Sequence, residues 1–253
     1  MKTALTIAGS DPTAGAGLQA DLKVFRSLNI HGLSVLAAIT AQDTKGVESV
    51  YPVEPTVLKQ QLEMILSDIT PDAIKTGMLF TKKAVEIVSE ILAIHPCHNL
   101  VIDPVSVSSS GMSLVENGTL DVLRDCLFPL SRIVTPNIYE ASLLTGRTVS
   151  DQKSMEDAAL SLKQMGPEAV VVTGGHLTER AIDCYYDGEF HFLDGIKQGG
   201  EYHGTGCAFS SAIAALLARG NSLVESVKGA KDFVSQAIRH AYHPGKGMGI
   251  LSL

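Results

Sequence analysis

The chain has 253 residues, of which 45% are hydrophobic and 19% are charged, and its formal net charge is −7. This length and composition are typical of a compact protein that buries its own core. The negative charge argues against nucleic acid as a partner, because nucleic-acid binding needs a basic surface. The chain has no apolar run of membrane-spanning length, and its first residues lack the apolar core of a signal peptide. We therefore expect neither a nucleic-acid partner nor a membrane partner.

The cysteines indicate the redox compartment. Four cysteines occur far apart in the chain, and no two of them form a C-x-x-C pair: Cys97, Cys126, Cys184 and Cys207. Widely spaced cysteines without an export signal are typical of reduced thiols inside a cell. The sequence therefore predicts a cytoplasmic protein.

Short apolar runs alternate with amphipathic segments along the chain. Strands are predicted at 3–8, 33–40, 72–78, 99–105, 132–136 and 168–175. Helices are predicted at 16–28, from Pro55 onward, and at 82–94, 119–127, 137–146, 155–166, 205–218 and 222–241. Residues 180–193 read as a hairpin that turns at Asp187-Gly188. This order predicts one α/β domain over 1–253, with a mostly parallel central sheet, helices on both faces and a late antiparallel hairpin.

Polar residues and glycines follow several predicted strands, at the sheet edge where ligands bind in such folds. A glycine-rich loop, "GSDPTAGAG", follows the first strand and suits a lid over a small ligand. Asp103 stands at the end of another strand. Asn137 and Glu140 open the next helix, where the pair is either a helix cap or a place for hydrated Mg²⁺. Both readings of this pair stay open from the sequence.

The stretch "HGTGC" leads into a long helix of small residues, "CAFSSAIAALLA". The free backbone N–H groups at a helix N-terminus favour anions, so Gly204 to Cys207 are a candidate anion site. The same helix terminus is expected to lower the pKa of the Cys207 thiol below its free value of about 8.5. Cys207 is therefore predicted to be able to accept a proton.

Seven motifs occur in one order along nearly the whole chain: "ALTIAGSDPTAGAGLQADLK", "TAQDTKGV", "KTGML", "IDPV", "TPNIYEA", "GGH" and "HGTGC". In this order the sequence resembles the ribokinase-like superfamily, and within it the hydroxymethylpyrimidine/phosphomethylpyrimidine kinases of thiamine biosynthesis. The resemblance implies a ribokinase-like fold. It also implies ATP-dependent phosphorylation of 4-amino-5-hydroxymethyl-2-methylpyrimidine, and then of its monophosphate to the diphosphate at the same site.

The resemblance also assigns roles to residues. It implies an anion hole for the transferring phosphoryl group at Gly204, Thr205, Gly206 and Cys207. It implies substrate contacts at Gln42, Gly9, Ala16, Met78 and Val105, and nucleotide contacts at Asn137, Glu140, Thr173 and Gly175. Gln42 would read the aminopyrimidine edge, because its amide both donates and accepts hydrogen bonds. Glu140 and Asp103 would hold Mg²⁺ through water.

The partners implied by the resemblance are the pyrimidine, ATP with Mg²⁺, and a second copy of the chain in a homodimer. Whether a monovalent cation takes part stays open. Two features depart from the family pattern. Thr173 stands where the family often has lysine, and the loop with Ser106 and Met112 lacks the methionine and the acidic residue of "DPVMVxxSGD".

Two other functions remain open from the sequence. A pyridoxal kinase of the cysteine-containing type is favoured by Thr173 and disfavoured by Gln42, which suits an aminopyrimidine. A non-catalytic pyrimidine-binding protein would keep Gln42, but it would not need the intact "GTGC" and "TPNxxE" motifs. A sugar kinase is disfavoured, because Cys207 stands where sugar kinases have an aspartate base.

Overall fold

The computed structural model describes residues 1–108, 111–175, 181–195 and 199–253. The strands are β1 (Thr3–Ser10), β2 (His31–Asp43), β3 (Gly46–Pro52), β4 (Ala73–Thr76), β5 (Leu100–Ile102), β6 (Ile133–Val134), β7 (Ala169–Val172), β8 (Ala181–Tyr186), β9 (Phe190–Gly195), β10 (Tyr202–His203) and β11 (Gly249–Ile250). The helices are α1 (Gly17–Ser27), α2 (Pro55–Asp68), α3 (Lys82–Ile94), α4 (Thr119–Cys126), α5 (Ile138–Thr145), α6 (Gln152–Lys163), α7 (Thr205–Ala218) and α8 (Leu223–Arg239), with a short 3₁₀ helix at Phe128–Leu130.

Within these ranges, nine strands form one sheet in the order β3-β2-β1-β4-β5-β6-β7-β8-β9. The neighbours from β2 to β7 are parallel, and β8 and β9 add an antiparallel hairpin. The predicted α/β fold with a late hairpin is therefore confirmed, although Arg180, at the start of the predicted hairpin, lies outside the described residues. The small pair β10 and β11 is parallel and separate from this sheet.

The sequence missed the second antiparallel edge. β3 pairs with β2 in an antiparallel arrangement, so the sheet ends in a hairpin on both sides and not only late in the chain. The segment "GVESVYP" is exposed or half-exposed along its length and has no buried face. Hydrophobic alternation, the signal that identifies a strand from sequence, is therefore weak in this segment.

Helices cover both faces of the sheet, as the alternating pattern predicts. On one face the core contains apolar side chains from α2 to α6, and on the other it contains those of α1, α7 and α8. The buried side of α7 is rich in alanine and serine, which allows close approach to the sheet and to its two helical neighbours. None of the described helices is long and apolar enough to cross a membrane.

The strand order places the site. β1 lies between β2 and β4, so the chain reverses its direction of progress across the sheet at this point. Parallel sheets bind ligands in the crevice beyond the carboxyl ends of the strands at such a reversal. The segments after β1, β4, β5, β6 and β7 therefore meet at one edge, and each carries residues singled out from the sequence.

Candidate active site

The start of α7 is held directly against the loop that follows β1. Gly204 caps α7 with a φ of +82°, and a Cβ at this position would overlap the backbone carbonyl of Gly15. Only glycine combines this left-handed backbone with so close an approach. The predicted anion hole and the predicted lid loop therefore form one continuous wall.

Asp11 holds the loop after β1 in place. Its carboxylate accepts hydrogen bonds from the backbone N–H groups of Thr13 and Ala16, each at 2.8 Å. Its Oδ2 also lies 2.9 Å from Nε2 of His203, the residue just before Gly204. Asp11 thus joins the loop to the chain entering α7, which places Ala16 beside the anion hole.

Cys207 is the third residue of α7, and its thiol stays neutral. Burial raises the pKa of the Cys207 thiol to about 12, Lys75 lowers it in part, and Asp103 and Asp21 raise it further. The expectation of a lowered pKa was therefore wrong for this protein without ligands. Desolvation between the starts of α1 and α7 outweighs the favourable field of the helix terminus.

Alkylation tests this protonation state. With iodoacetamide at neutral pH, we expect Cys207 to stay unmodified, because only the thiolate is a good nucleophile. Peptide mass spectrometry across a pH series would follow each cysteine, with the denatured protein as the control in which all four react. Rapid modification of Cys207 at neutral pH would contradict the raised pKa.

Two buried carboxylates lie at the ends of neighbouring strands. Asp103, after β5, accepts a hydrogen bond at 2.9 Å from Ser210 of α7, and burial raises its pKa. Glu140, in the first turn of α5, accepts from the backbone N–H groups of Asn137 at 2.9 Å and Ser106 at 3.2 Å. Burial, followed by the charge of Asp103, raises the pKa of Glu140 to about 8.

Asn137 and Glu140 form the helix cap that was one of their two readings. The side chain of Asn137 accepts from the backbone N–H groups of Tyr139 and Glu140, which completes a capping box. The cap is compatible with the second interpretation, a place for hydrated Mg²⁺, because the same hydrogen bonds fix the Glu140 carboxylate at the edge of the site.

These groups fit a hydrated Mg²⁺. The hydroxyl of Ser106, a residue that is 2% exposed, has no hydrogen-bond partner among the described residues, and it lies near the Glu140 carboxylate that the backbone N–H of Ser106 contacts. Hard oxygen donors of this kind suit Mg²⁺, which keeps much of its water and binds through one or two carboxylates and substrate phosphates. Among the described residues, no three acidic, histidine or cysteine side chains are placed to enclose a metal by themselves. The protein would therefore supply few ligands, and water and phosphate the others.

Glu140→Gln should flatten the dependence of stability on pH. The folded protein keeps the Glu140 proton up to about pH 8, whereas the unfolded chain releases it near its ordinary pKa of 4.5. The native state therefore binds more protons in this window, and stability present below pH 4.5 is lost as the pH rises toward about 8. In metal-free buffer, the unfolding temperature of the variant should fall less between pH 4.5 and about 8 than that of the wild type. Parallel curves of unfolding temperature against pH would contradict the raised pKa of Glu140.

The ends of β6 and β7 bring the predicted nucleotide residues together. The backbone N–H of Thr173 donates to the carbonyl of Pro136 at 2.9 Å, which places Thr173 beside Asn137. The next backbone N–H, at Gly174, donates to buried Asp183 at 3.0 Å. Gly175 is exposed at the end of a described range, and His176 of the "GGH" motif lies outside the described residues.

An apolar wall stands beside this edge. A Cβ on Gly9 would overlap the methyl group of Met78, so this glycine gives the methionine its space. Met78 and Val105 belong to one apolar cluster with Ala38 and Leu114. The predicted wall residues Gly9, Met78 and Val105 are therefore close together.

Gln42 lies at the end of β2 and faces His203. Its amide nitrogen lies 2.8 Å from His203 Nε2, and its amide oxygen lies 3.2 Å from the hydroxyl of Thr40. Gln42 also lines an open cleft of about 460 Å³ between the tip of the β2–β3 hairpin and residues 244–250. His203 and Asp11 were not singled out from the sequence, although both lie inside motifs that carry the resemblance.

Comparison with known proteins identifies the family of the chain. The family model described as phosphomethylpyrimidine kinase matches residues 11–252. The chain belongs to the phosphomethylpyrimidine kinase family. The family and the phosphotransferase class predicted from the ordered motifs are confirmed.

Individual relatives of this family member support the assignment. The hydroxymethylpyrimidine/phosphomethylpyrimidine kinase of Staphylococcus aureus (strain MRSA252) is 40% identical over 98% of this chain and 92% of its own length. The thiamine biosynthesis bifunctional protein ThiED of Geobacter sulfurreducens is 44% identical over 97% of this chain. The chain spans about half, 51%, of that longer protein.

A solved structure shows the same fold. The pyridoxal kinase from Staphylococcus aureus, in complex with AMP-PCP and pyridoxal, matches with a TM-score of 0.92 and 37% identity, covering 100% of this chain and 93% of that chain. The ribokinase-like fold predicted from the motifs agrees with this likeness. The family member thus shares its fold with a kinase whose solved structure contains pyridoxal.

Proposed function

We propose that this chain transfers the γ-phosphoryl group of ATP to the hydroxymethyl group of 4-amino-5-hydroxymethyl-2-methylpyrimidine, and then a second phosphoryl group to the monophosphate. The observation that carries the proposal is the geometry at the start of α7. The left-handed backbone of Gly204 brings this helix to the edge of the site, and the thiol of Cys207 there is neutral. A helix N-terminus stabilises an anion arriving there. A neutral thiol does not repel the phosphate of the second substrate.

The pyrimidine ring would lie against Gly9, Met78 and Val105, with its amino edge at Gln42. Its hydroxyl oxygen attacks the γ-phosphorus of ATP, the bond to the bridging oxygen breaks, and ADP leaves. The hydroxyl proton passes to an oxygen of the transferred phosphoryl group and from there to water. Phosphoryl transfer depends mainly on positioning and charge stabilisation, and the nucleophile loses its proton late. Cys207 therefore orients the hydroxyl by hydrogen bonding, and the α7 amides stabilise the charge on the moving phosphoryl group.

ATP would bind along the ends of β6 and β7, at Asn137, Thr173 and Gly175. Asp103 and Glu140 would hold Mg²⁺ through water, and the metal would supply positive charge to the phosphates when bound. Thr173 carries no charge, so the cation matters more here than where lysine occupies this position.

Gln42→Leu should weaken binding of the pyrimidine and leave ATP binding unchanged. Leucine keeps the approximate size but cannot donate to or accept from the ring edge, which leaves polar atoms of the ring unpaired. We expect the KM for the pyrimidine to rise about 10- to 100-fold. Steady-state kinetics with each substrate varied in turn would measure this, and an equal rise in the KM for ATP would contradict the role.

The exposed apolar surface supports a homodimer as part of the proposal. Ile39 and Tyr51 stand opposite each other on β2 and β3 and are 49% and 60% exposed. Sedimentation of the wild type and of Tyr51→Arg would test this, with a dimer expected only for the wild type.

We also propose a cytoplasmic location, which is supported by the absence of disulfides at all four cysteines.

Pyridoxal phosphorylation is the second candidate function, favoured by the likeness to a pyridoxal kinase structure and by Thr173. Initial rates with Mg-ATP and the pyrimidine, its monophosphate or pyridoxal separate the two functions. We expect turnover of both pyrimidines and poor turnover of pyridoxal. Preference for pyridoxal would favour the second candidate, and no turnover would favour a pyrimidine-binding protein.

A further inference from the structure

A fully buried ion pair lies beneath the start of α7. The ammonium of Lys75, on β4, is 2.8 Å and 3.0 Å from the two carboxylate oxygens of Asp21, on α1. Both side chains are 0% exposed. An ion pair so deeply buried is no simple source of stability, because removing both charges from water costs about as much as their attraction returns.

The carboxylate of Asp21 also connects four elements of the fold. It accepts hydrogen bonds from the hydroxyl of Thr6 on β1 and from the hydroxyl of Ser211 on α7, each at 2.6 Å. With the two contacts to Lys75, every acceptor direction of the carboxylate is used. Asp21 therefore joins β1, β4, α1 and α7 through one carboxylate.

The pair sits one helical turn below the reacting edge. Asp21 lies four residues after Gly17, the first residue of α1, and Ser211 lies four residues after Cys207. The Lys75 side chain runs toward the carboxyl end of β4, because a Cβ at Gly77 would lie 2.9 Å from its Nζ. Burial by itself lowers the pKa of Lys75, but the charges of Asp21 and then of Asp103 raise it above its usual value. The Lys75 ammonium therefore stays charged beneath the start of α7.

Resting on the function proposed above, we propose that Lys75 is a positioning residue for phosphoryl transfer. Its ammonium, fixed by Asp21, sets the start of α7 against the start of α1 and provides permanent positive charge beneath Cys207 and the amides of the anion hole. Such preorganised charge acts on the developing transition state more than on the bound substrate. It supplies a cation on the side of the site away from Thr173.

The double variant Lys75→Met/Asp21→Asn separates this role from a structural one. Replacing the whole pair removes both of its charges together and leaves neither Lys75 nor Asp21 without its partner, so the variant should fold and unfold near the wild-type temperature. We expect its kcat with the pyrimidine to fall on the order of 100-fold, as for loss of an oxyanion-hole donor, while the KM for the pyrimidine stays within about 3-fold. Ser211→Ala, which keeps both charges and cuts one tie to α7, should give a smaller fall in kcat.

Leu62→Ala is the matched control, because Leu62 is fully buried on α2 across the sheet. It should lower the unfolding temperature and leave kcat at the assay temperature unchanged. Wild-type kcat in the folded double variant would overturn the proposal, as would a kcat loss in Ser211→Ala no larger than in Leu62→Ala. A failure of the proposed function looks different, because the wild-type protein itself would then not phosphorylate the pyrimidine.

Discussion

Gly204→Ala should nearly abolish phosphoryl transfer. The added methyl group would overlap the carbonyl of Gly15, and the backbone would have to keep a φ of +82°, which alanine adopts only with strain. The start of α7 must then move away from the loop after β1. The backbone N–H groups of the anion hole would no longer point at the phosphoryl group. We expect kcat to fall by on the order of 100-fold or more, measured with Mg-ATP and the pyrimidine.

Gly220→Ala provides the control for this variant. Gly220 follows the other end of α7 with a φ of +93°, and a Cβ there would meet nothing within 4 Å. The backbone strain is therefore similar, but no contact with the site is disturbed. This control should lose some thermal stability and keep its kcat, whereas near-normal turnover in Gly204→Ala would show that the close approach to Gly15 is not needed.

Substitutions of Cys207 should separate the two phosphorylation steps. Cys207→Ala removes the group that orients the hydroxyl, so transfer to the alcohol should slow by about 10- to 100-fold. Transfer to the monophosphate should slow less, because its nucleophile is already an anion. Rates for the two substrates measured separately give this ratio, and equal losses would mean that Cys207 only shapes the anion hole.

Cys207→Asp should give the opposite ratio. A carboxylate at this position would repel the phosphate of the second substrate while it still accepts a hydrogen bond from the alcohol. Transfer to the monophosphate should then be damaged more than transfer to the alcohol. If the aspartate variant phosphorylates the monophosphate as well as the wild type does, charge repulsion is not the reason for a thiol here.

The fold could be predicted well where local signals and topology agree. α7 begins and ends where the sequence predicts, at residues 205 and 218, because Gly204 caps it and small apolar residues continue the helix. α6 begins at Gln152, earlier than the predicted 155, because Asp151 caps it through Ser154. A cap formed by aspartate and serine is a weaker sequence signal than one completed by glutamate.

The residues of the site could be predicted from the sequence, but their burial and the charges around them could not. The ordered motifs singled out Gln42, Glu140 and Cys207, and the fold brings the segments that carry them to one edge of the sheet. The pKa of Cys207 depends on burial between two helices, which no local pattern reveals. Likewise, Lys75 and Asp21 are 54 residues apart in sequence, and only the packing of α1 on the sheet pairs them.

The most direct test of the account is a ³¹P NMR time course with hydroxymethylpyrimidine, excess Mg-ATP and this protein alone. One site at the end of the sheet should perform both transfers, so the monophosphate should appear first and then decline as the diphosphate accumulates. Persistence of the monophosphate, or the absence of any phosphorylated pyrimidine, would contradict the claim that the neutral thiol and the α7 anion hole serve both steps.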